Sequence, residues 1–396
     1  MRPMLKPALS RAWRDRDTLQ FGTVRHHARV VEDVSQPVAA FLELLDGSRE
    51  RSALLDAGER LGLGGGLTEQ LLASLEEGGL LDDAESTAAA LARYPRPRQE
   101  LLAADLASLS LVHPAPGEAP AVLQARSRAR VEIRGAGRVG TAIGAVLAAG
   151  GVGSVGLVDR GRVTARDCSP AGYPPTDIGR LRTTAAREAV HRAGGAVAGE
   201  RHRRTAGSEP PPSLVVLAPR DGSGAFTGTA TEFQRLMRAG TPHLYVGVLE
   251  HLGIVGPLVI PGLSACGRCA TLTRRDEDEA WPRVLAQVAE EGPGRPRSPA
   301  CDGALATAVA GLAALHVQLY LDGGRPPSVD GWCEVFSRSS PRPVVTRLPA
   351  GGASRPQGGR APDVFGRTAR RYRHNGVVTT VLRPSAAGWT SDWRPG

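Results

Sequence analysis

Gly135-Ala136-Gly137-Arg138-Val139-Gly140 spells a G-x-G-x-x-G run between a short apolar stretch, Val131-Glu132-Ile133, and an uncharged one reaching Gly150. After a strand and opening a helix, the first glycine permits a tight turn and the second lets backbone N–H groups approach a phosphate. The third lets helix pack on strand. The helix start then offers unpaired N–H groups and the positive end of its dipole to an anion. Asp159 closes the next strand, Val155–Val158, nineteen residues after Gly140, where a carboxylate can accept from ribose hydroxyls. Strand, glycine loop, helix, second strand and acid in that order predict a nucleotide-binding-type α/β fold.

Cys266-Gly267-Arg268-Cys269 is a metal-type half-site, since zinc wants four ligands and this pair supplies two. Cys301, Cys333 and His316 lie downstream without the spacing of a second pair. A knuckle-like turn is the plainer reading. A redox pair is a weaker one, because no helix pattern opens at Cys266. Cys168 follows Asp167 in the loop after Asp159 and reads as a loop cysteine before a nucleophile. His26-His27 reads as an exposed polar turn, and Asp276-Glu277-Asp278-Glu279 as acids opening a helix before Trp281.

Those residues need elements to position them. The chain has 396 residues, 41% hydrophobic and 22% charged, long enough for two or three domains that fold without staples. Five cysteines make no disulfide framework, and the N-terminus has no apolar signal-like core. A soluble, cytoplasmic protein away from membranes is expected. The net charge of +9 comes from scattered arginine, Lys6 being the sole lysine, and aromatics are only 4%. Nucleic acid is therefore an unlikely partner.

Residues 1–95 read as a small winged-helix-like α+β module: a hairpin of Thr18–Val24 and Ala28–Val34, then helices at Pro37–Leu45, Ser48–Leu61 and Thr68–Glu77, the last capped by Thr68. Residues 96–128 read as a linker with one helix near Arg98–Ser110. Residues 129–335 read as the α/β domain, with further strands at Leu214–Leu217, His243–Val248 and Ile254–Ile260 and an apolar helix, Ala304–Leu321, covering one sheet face. Residues 336–396 are a Pro/Gly/Arg-rich extension, partly flexible around Ala350–Arg360. Strands are expected at Cys333–Phe336, Pro343–Arg347 and Val377–Leu382.

With the glycine loop, "GVGSVGLVDRGRV" resembles the ThiF/MoeB family, adenylating relatives of the ubiquitin-activating enzymes. "GPLVIPGLSACGRCATLTRRDEDEAWP", followed by the long apolar helix, resembles the branch that accompanies azoline-forming cyclodehydratases in peptide natural-product (bacteriocin-type) maturation. The N-terminal module resembles the PqqD-type element that binds leader peptides. Together the resemblance covers roughly residues 10–335.

It implies a doubly wound, mostly parallel Rossmann sheet, a homodimer, and ATP with Mg²⁺ activating a carboxylate as an acyl-adenylate. Gly135, Gly137, Gly140 and Asp159 would bind the nucleotide, with Arg182 in place of the family's phosphate-contacting lysine. Cys266 and Cys269 would be half of a zinc site. The sequence also departs from the family. Gly161 replaces an acid, Asp167 an asparagine, Pro170 an arginine, and Ala218-Pro219-Arg220-Asp221 an acidic metal-site motif.

The expected function is therefore peptide handling. The N-terminal module would hold a precursor leader, by strand addition to the hairpin or in its helix groove, and deliver it to an ATP-dependent cyclodehydratase-type partner. A working adenylyltransferase is the alternative. A winged-helix DNA-binding regulator comes third, because "TEQLLASLEEGGLL" carries no basic residue to meet phosphate.

Overall fold

Leu214-Val215-Val216-Leu217 has no polar side chain, as expected of a strand covered on both faces. All four residues are buried at the centre of a seven-stranded sheet. The computed structural model describes residues 1–24, 28–194, 211–220, 230–290, 301–336, 344–347, 378–385 and 388–395. They fall into two compact units, one within Met1–Gln124 and Arg370–Gly396, the other within Ala125–Ala369.

In the first unit, β1 (Pro3–Leu5), β2 (Arg11–Trp13), β3 (Leu19–Phe21) and β4 (Arg29–Val31) precede α1 (Gln36–Glu43), α2 (Arg51–Arg60) and α3 (Gly65–Glu77). β5 (Leu81–Asp83), α4 (Ala84–Leu91), α5 (Arg96–Val112) and α6 (Glu118–Arg126) come next. Leu71, Leu72 and Leu75 line one face of α3, are wholly buried and meet Phe21, Val31, Phe41 and Leu54. Truncating one such leucine to alanine costs about 2–5 kcal/mol.

Several boundaries differ from expectation. α3 starts at Gly65, so Thr68 is not its cap. Thr68 is buried in the first turn, its hydroxyl 3.3 Å from Gly64 O, in space that Gly58 leaves open on α2. α2 starts at Arg51 because Asp46 Oδ1 accepts from Ser48 N at 2.8 Å and holds that residue in a turn. Segment 96–128 holds two helices rather than one, with Leu102, Leu106 and Leu109 of α5 packed on Ala119 and Leu123. Lys6, buried, ties this pair down by donating to the carbonyl oxygens of Ser110 and Pro114.

The hairpin β3–β4 has no free outer strand. β2 pairs with β3 on one side, and β13 (Val378–Ser385) pairs in parallel with β4 on the other, Val381 opposite Val30. β14 (Gly388–Pro395) completes the order β14-β13-β4-β3-β2. His26-His27 and Ala350–Arg360 lie outside the described residues.

The second unit contains β6 (Arg130–Arg134), α7 (Arg138–Ala149), β7 (Ser154–Val158), α8 (Arg182–Arg192), β8 (Leu214–Leu217), α9 (Ala230–Arg238), β9 (His243–Leu249) and β10 (Leu252–Val259). α10 (Gly267–Glu277), α11 (Trp281–Glu290), α12 (Gly303–Leu321), β11 (Gly331–Phe336) and β12 (Val344–Arg347) complete it. The sheet order is β12-β11-β10-β9-β8-β6-β7, parallel from β7 through β9 and antiparallel beyond. The α/β class with a doubly wound sheet thus stands.

α12 is long and apolar enough to cross a membrane by length and composition. Here Val309, Ala313 and Val317 are buried in the same core as α7 and the sheet. From β6 the chain steps to β7 on one side and then to β8 on the other, so a crevice opens where the order reverses.

Candidate functional site at the switch point

The glycine loop leaves β6 at that crevice. Gly135 has φ +111°, and a Cβ there would stand 1.9 Å from Ala218 O on the neighbouring strand's exit. A Cβ at Gly140 would stand 1.9 Å from Gly135 O. Both positions therefore require glycine for the fold itself. Gly137 is the N-cap of α7 and faces a cavity of about 170 Å³. Arg138, Arg166, Asp167, Pro219, Arg220 and Cys301 also line that cavity. Arg138 Nη1 donates to Cys301 O at 2.6 Å, drawing the chain before α12 to the rim.

Behind the cavity runs an alternating chain of charges. Asp159 Oδ2 accepts from Ala136 N at 2.9 Å, and its Oδ1 from Gly161 N at 2.7 Å and Arg182 Nη1 at 3.3 Å. Arg182 Nη2 reaches Asp167 Oδ2 at 3.0 Å, which also accepts from Thr164 N and Thr164 Oγ1 at 2.8 Å each. Asp167 Oδ1 accepts from Arg220 Nε at 2.9 Å, and Arg220 Nη2 donates to Thr164 Oγ1 at 3.0 Å. Burial pushes the Asp167 carboxyl up. The Thr164 amide and hydroxyl with the two guanidiniums outweigh that and hold it below the usual carboxylate range. Tyr173 Oη donates to Ala136 O at 2.8 Å and fixes the glycine loop from below, burial raising its pKa to about 12.

Gly135, Gly137, Gly140, Asp159 and Arg182 thus come together, but the last two act differently from expectation. Asp159 spends both oxygens on the loop and on Arg182. Arg182 is buried between two acids and does not line the cavity. Arg138, Arg166 and Arg220 are the cations that line it. Thr164-x-x-Asp167 is a capping-box pattern that sequence can show. The Asp167–Arg220 contact had no such signal. Cys168 lies off the cavity lining, its thiol 3.6 Å from Pro174 O and its pKa raised by burial and by Asp167.

Magnesium wants carboxylate oxygens turned toward it. Both oxygens of Asp159 and of Asp167 already accept from protein donors, and Arg220 sets a cation beside them. These residues do not fit Mg²⁺.

Cys266 and Cys269 stand apart from the crevice chemistry, their sulfurs 3.7 Å from each other. Contrary to expectation, a helix does open there: Cys266 is the N-cap of α10, its neighbour Ala265 N held by Asp330 Oδ1 at 2.8 Å. His316 bonds Ser328 Oγ at 2.8 Å, Cys333 lies in the sheet core and Cys301 at the cavity. Among the described residues no group of three or more His, Cys, Asp or Glu could hold a metal ion, so the pair remains two ligands of four.

The acids Asp276 and Glu277 end α10 instead of opening a helix. Asp278 shapes the turn into α11, its Oδ1 accepting from Ala280 N at 2.9 Å.

A model of the ThiF family matches residues 113–217. No curated protein matches the sequence. Among solved structures, E. coli MccB with ATP is similar at TM-score 0.62 and 14% identity, over 89% of this chain and 99% of that one. The microcin C7 biosynthetic enzyme MccB in complex with N-formylated MccA is similar at TM-score 0.62 and 15% identity, with the same coverage. PaaA is similar at TM-score 0.54 and 17% identity, over 70% of this chain and 91% of that one. At these identities the likeness is one of fold.

Proposed function

We propose that this chain serves the maturation of a ribosomally made peptide, binding the leader of the precursor and presenting it to an ATP-dependent, cyclodehydratase-type partner in the cytoplasm. The observation that carries this reading is the Asp159–Arg182–Asp167–Arg220 network, which closes the acids that an adenylating site keeps free. Adenylation builds charge on departing pyrophosphate, and a metal held by free carboxylates offsets it. The fold is shared with the microcin C7 biosynthetic enzyme MccB, solved in complex with N-formylated MccA, and that likeness supports a role in peptide maturation.

The peptide's seat is the outer edge of β2. With β4 paired to β13, β2 is the end strand of its sheet among the described residues, and Arg11, Ala12 and Trp13 are all exposed. Unpaired strand N–H and C=O groups accept an added strand, and Trp13, 52% exposed, supplies an apolar anchor. On α3, Glu69 and Glu76 pair with Arg51 at 2.6 and 3.4 Å.

Calorimetry of the full chain with synthetic peptides made from any short reading frame found beside its gene tests the reading, together with pyrophosphate exchange using ATP, Mg²⁺ and the same peptides. Binding with a micromolar constant, about −8 kcal/mol, weakened in Trp13→Ala and without exchange, is expected. Robust exchange that disappears in Asp159→Ala would make the chain an adenylyltransferase.

A further inference from the structure

Cys266-Gly267-Arg268-Cys269 opens a helix, the feature whose absence from the sequence pattern counted against a redox pair. Cys266 stands at the N-cap of α10 with extended backbone, φ −111° and ψ 176°, and Cys269 follows in the first turn. The two sulfurs come within 3.7 Å of each other. A disulfide bond needs about 2.0 Å, so a small movement of the two side chains closes the gap.

Apolar side chains surround the pair. Cys266 packs with Val215, Leu236 and Val259, and Cys269 against Ile254, Ala265 and Trp332. Among the described residues no third ligand joins the two thiols, so their chemistry is that of a dithiol. The two are also unequal. Cys266 is 3% exposed, while Cys269 is partly open to solvent beside the exposed Arg268. Thiol–disulfide exchange uses such a pair in order: the reachable sulfur attacks first and its sheltered neighbour resolves the product. Burial raises the pKa of Cys168, Cys301 and Cys333, which makes them poor competitors as nucleophiles.

We propose that Cys266 and Cys269 form a redox-active dithiol, oxidised by a low-molecular-weight disulfide and reduced again by a thiol. The Cys269 thiolate attacks one sulfur of the small disulfide, breaking its S–S bond and releasing one thiolate. The mixed disulfide left on Cys269 is then attacked by the Cys266 thiolate. The Cys266–Cys269 bond forms and the second small thiolate leaves. Two electrons pass from the protein to the reagent, and the two protein thiol protons end on the two small thiols. The new bond fixes the start of α10, a helix that buries no residue of its own. The pair lies off the crevice lining, and the inference is independent of the proposed function.

The test incubates the full chain in buffers running from reduced to oxidised glutathione, blocks free thiols in denaturant and digests with trypsin. Trypsin cuts after Arg268, between the two cysteines, so a disulfide keeps joined two peptides that the reduced protein releases apart. Joined peptides in the oxidised buffer, with Cys266 and Cys269 lost to the blocking reagent together and restored by dithiothreitol, are the expected result. Cys266→Ser should halt with glutathione attached to Cys269, and Cys269→Ser should leave Cys266 unreacted. The proposal is overturned if the oxidised wild type yields no joined peptides, or joins Cys168, Cys301 or Cys333 in place of this pair. It is equally overturned by a full equivalent of zinc shielding both thiols, by a folded Cys266→Ser protein without the adduct, or by a folded Cys269→Ser protein that carries one on Cys266. Where a variant does not fold, the wild-type peptides alone decide.

Discussion

Arg182 Nη2 lies 3.0 Å from Asp167 Oδ2 with both side chains almost wholly buried, 8% and 3% exposed. The guanidinium's other arm reaches Asp159, so one cation satisfies two carboxylates that water scarcely reaches. Removing it leaves Asp159 with backbone donors alone and Asp167 with only the half-exposed Arg220 as a cation. Arg182→Met should destabilise the α/β unit by about 3–5 kcal/mol, the usual cost of breaking a buried pair from one side. Urea unfolding followed by circular dichroism measures it. A loss below about 1 kcal/mol would mean that the network is not held in solution.

His316 gives the fold a dependence on mild acid. Burial in α12 holds the imidazole neutral and lowers its pKa to about 4, against an ordinary value of 6.5. The unfolded chain therefore binds the extra proton first. The stabilisation is fully present above pH 6.5 and is lost as pH falls toward 4, on the order of 3 kcal/mol over the whole window. Thermal midpoints of the wild type and His316→Gln across that range should converge as pH drops.

Zinc should be substoichiometric. Cys266 and Cys269 supply two thiolates, and His316, Cys301 and Cys333 are occupied elsewhere. Elemental analysis of protein purified without chelators should give well under one zinc per chain. A full equivalent that vanishes in Cys266→Ser would show that further ligands reach the pair.

The C-terminal strands should protect β4. Deleting residues from Val378 onward removes the partner of Arg29–Val31 and should speed amide exchange there, while peptide affinity at β2 stays constant. An affinity that rises on deletion would move the peptide's seat from β2 to β4.

The range of each interaction decides whether it is legible in the sequence. The glycine loop, Asp159 and the charge-free strands were legible because each is local: a turn, a cap, a run with no polar side chain. α10 was invisible because it buries no residue of its own and so has no apolar period to read. Arg220 reaches Asp167 across 53 residues and a strand crossover, and no spacing rule spans that. The same holds for β13 beside β4, two segments at opposite ends of the chain that meet only as sheet neighbours.

That last pairing sets an order of assembly. The five-stranded sheet of the first unit joins β2, β3 and β4 to β13 and β14, with the whole α/β unit between the two groups in the chain. During synthesis β4 leaves the ribosome long before β13 exists to cover it, so this sheet carries an open edge until residues 378–385 have been made. Closure then requires β13 to find β4 across all the chain that separates them, and the cost of closing that loop grows with its effective length. Mutations that loosen the α/β unit should therefore also delay completion of a sheet to which that unit contributes no strand.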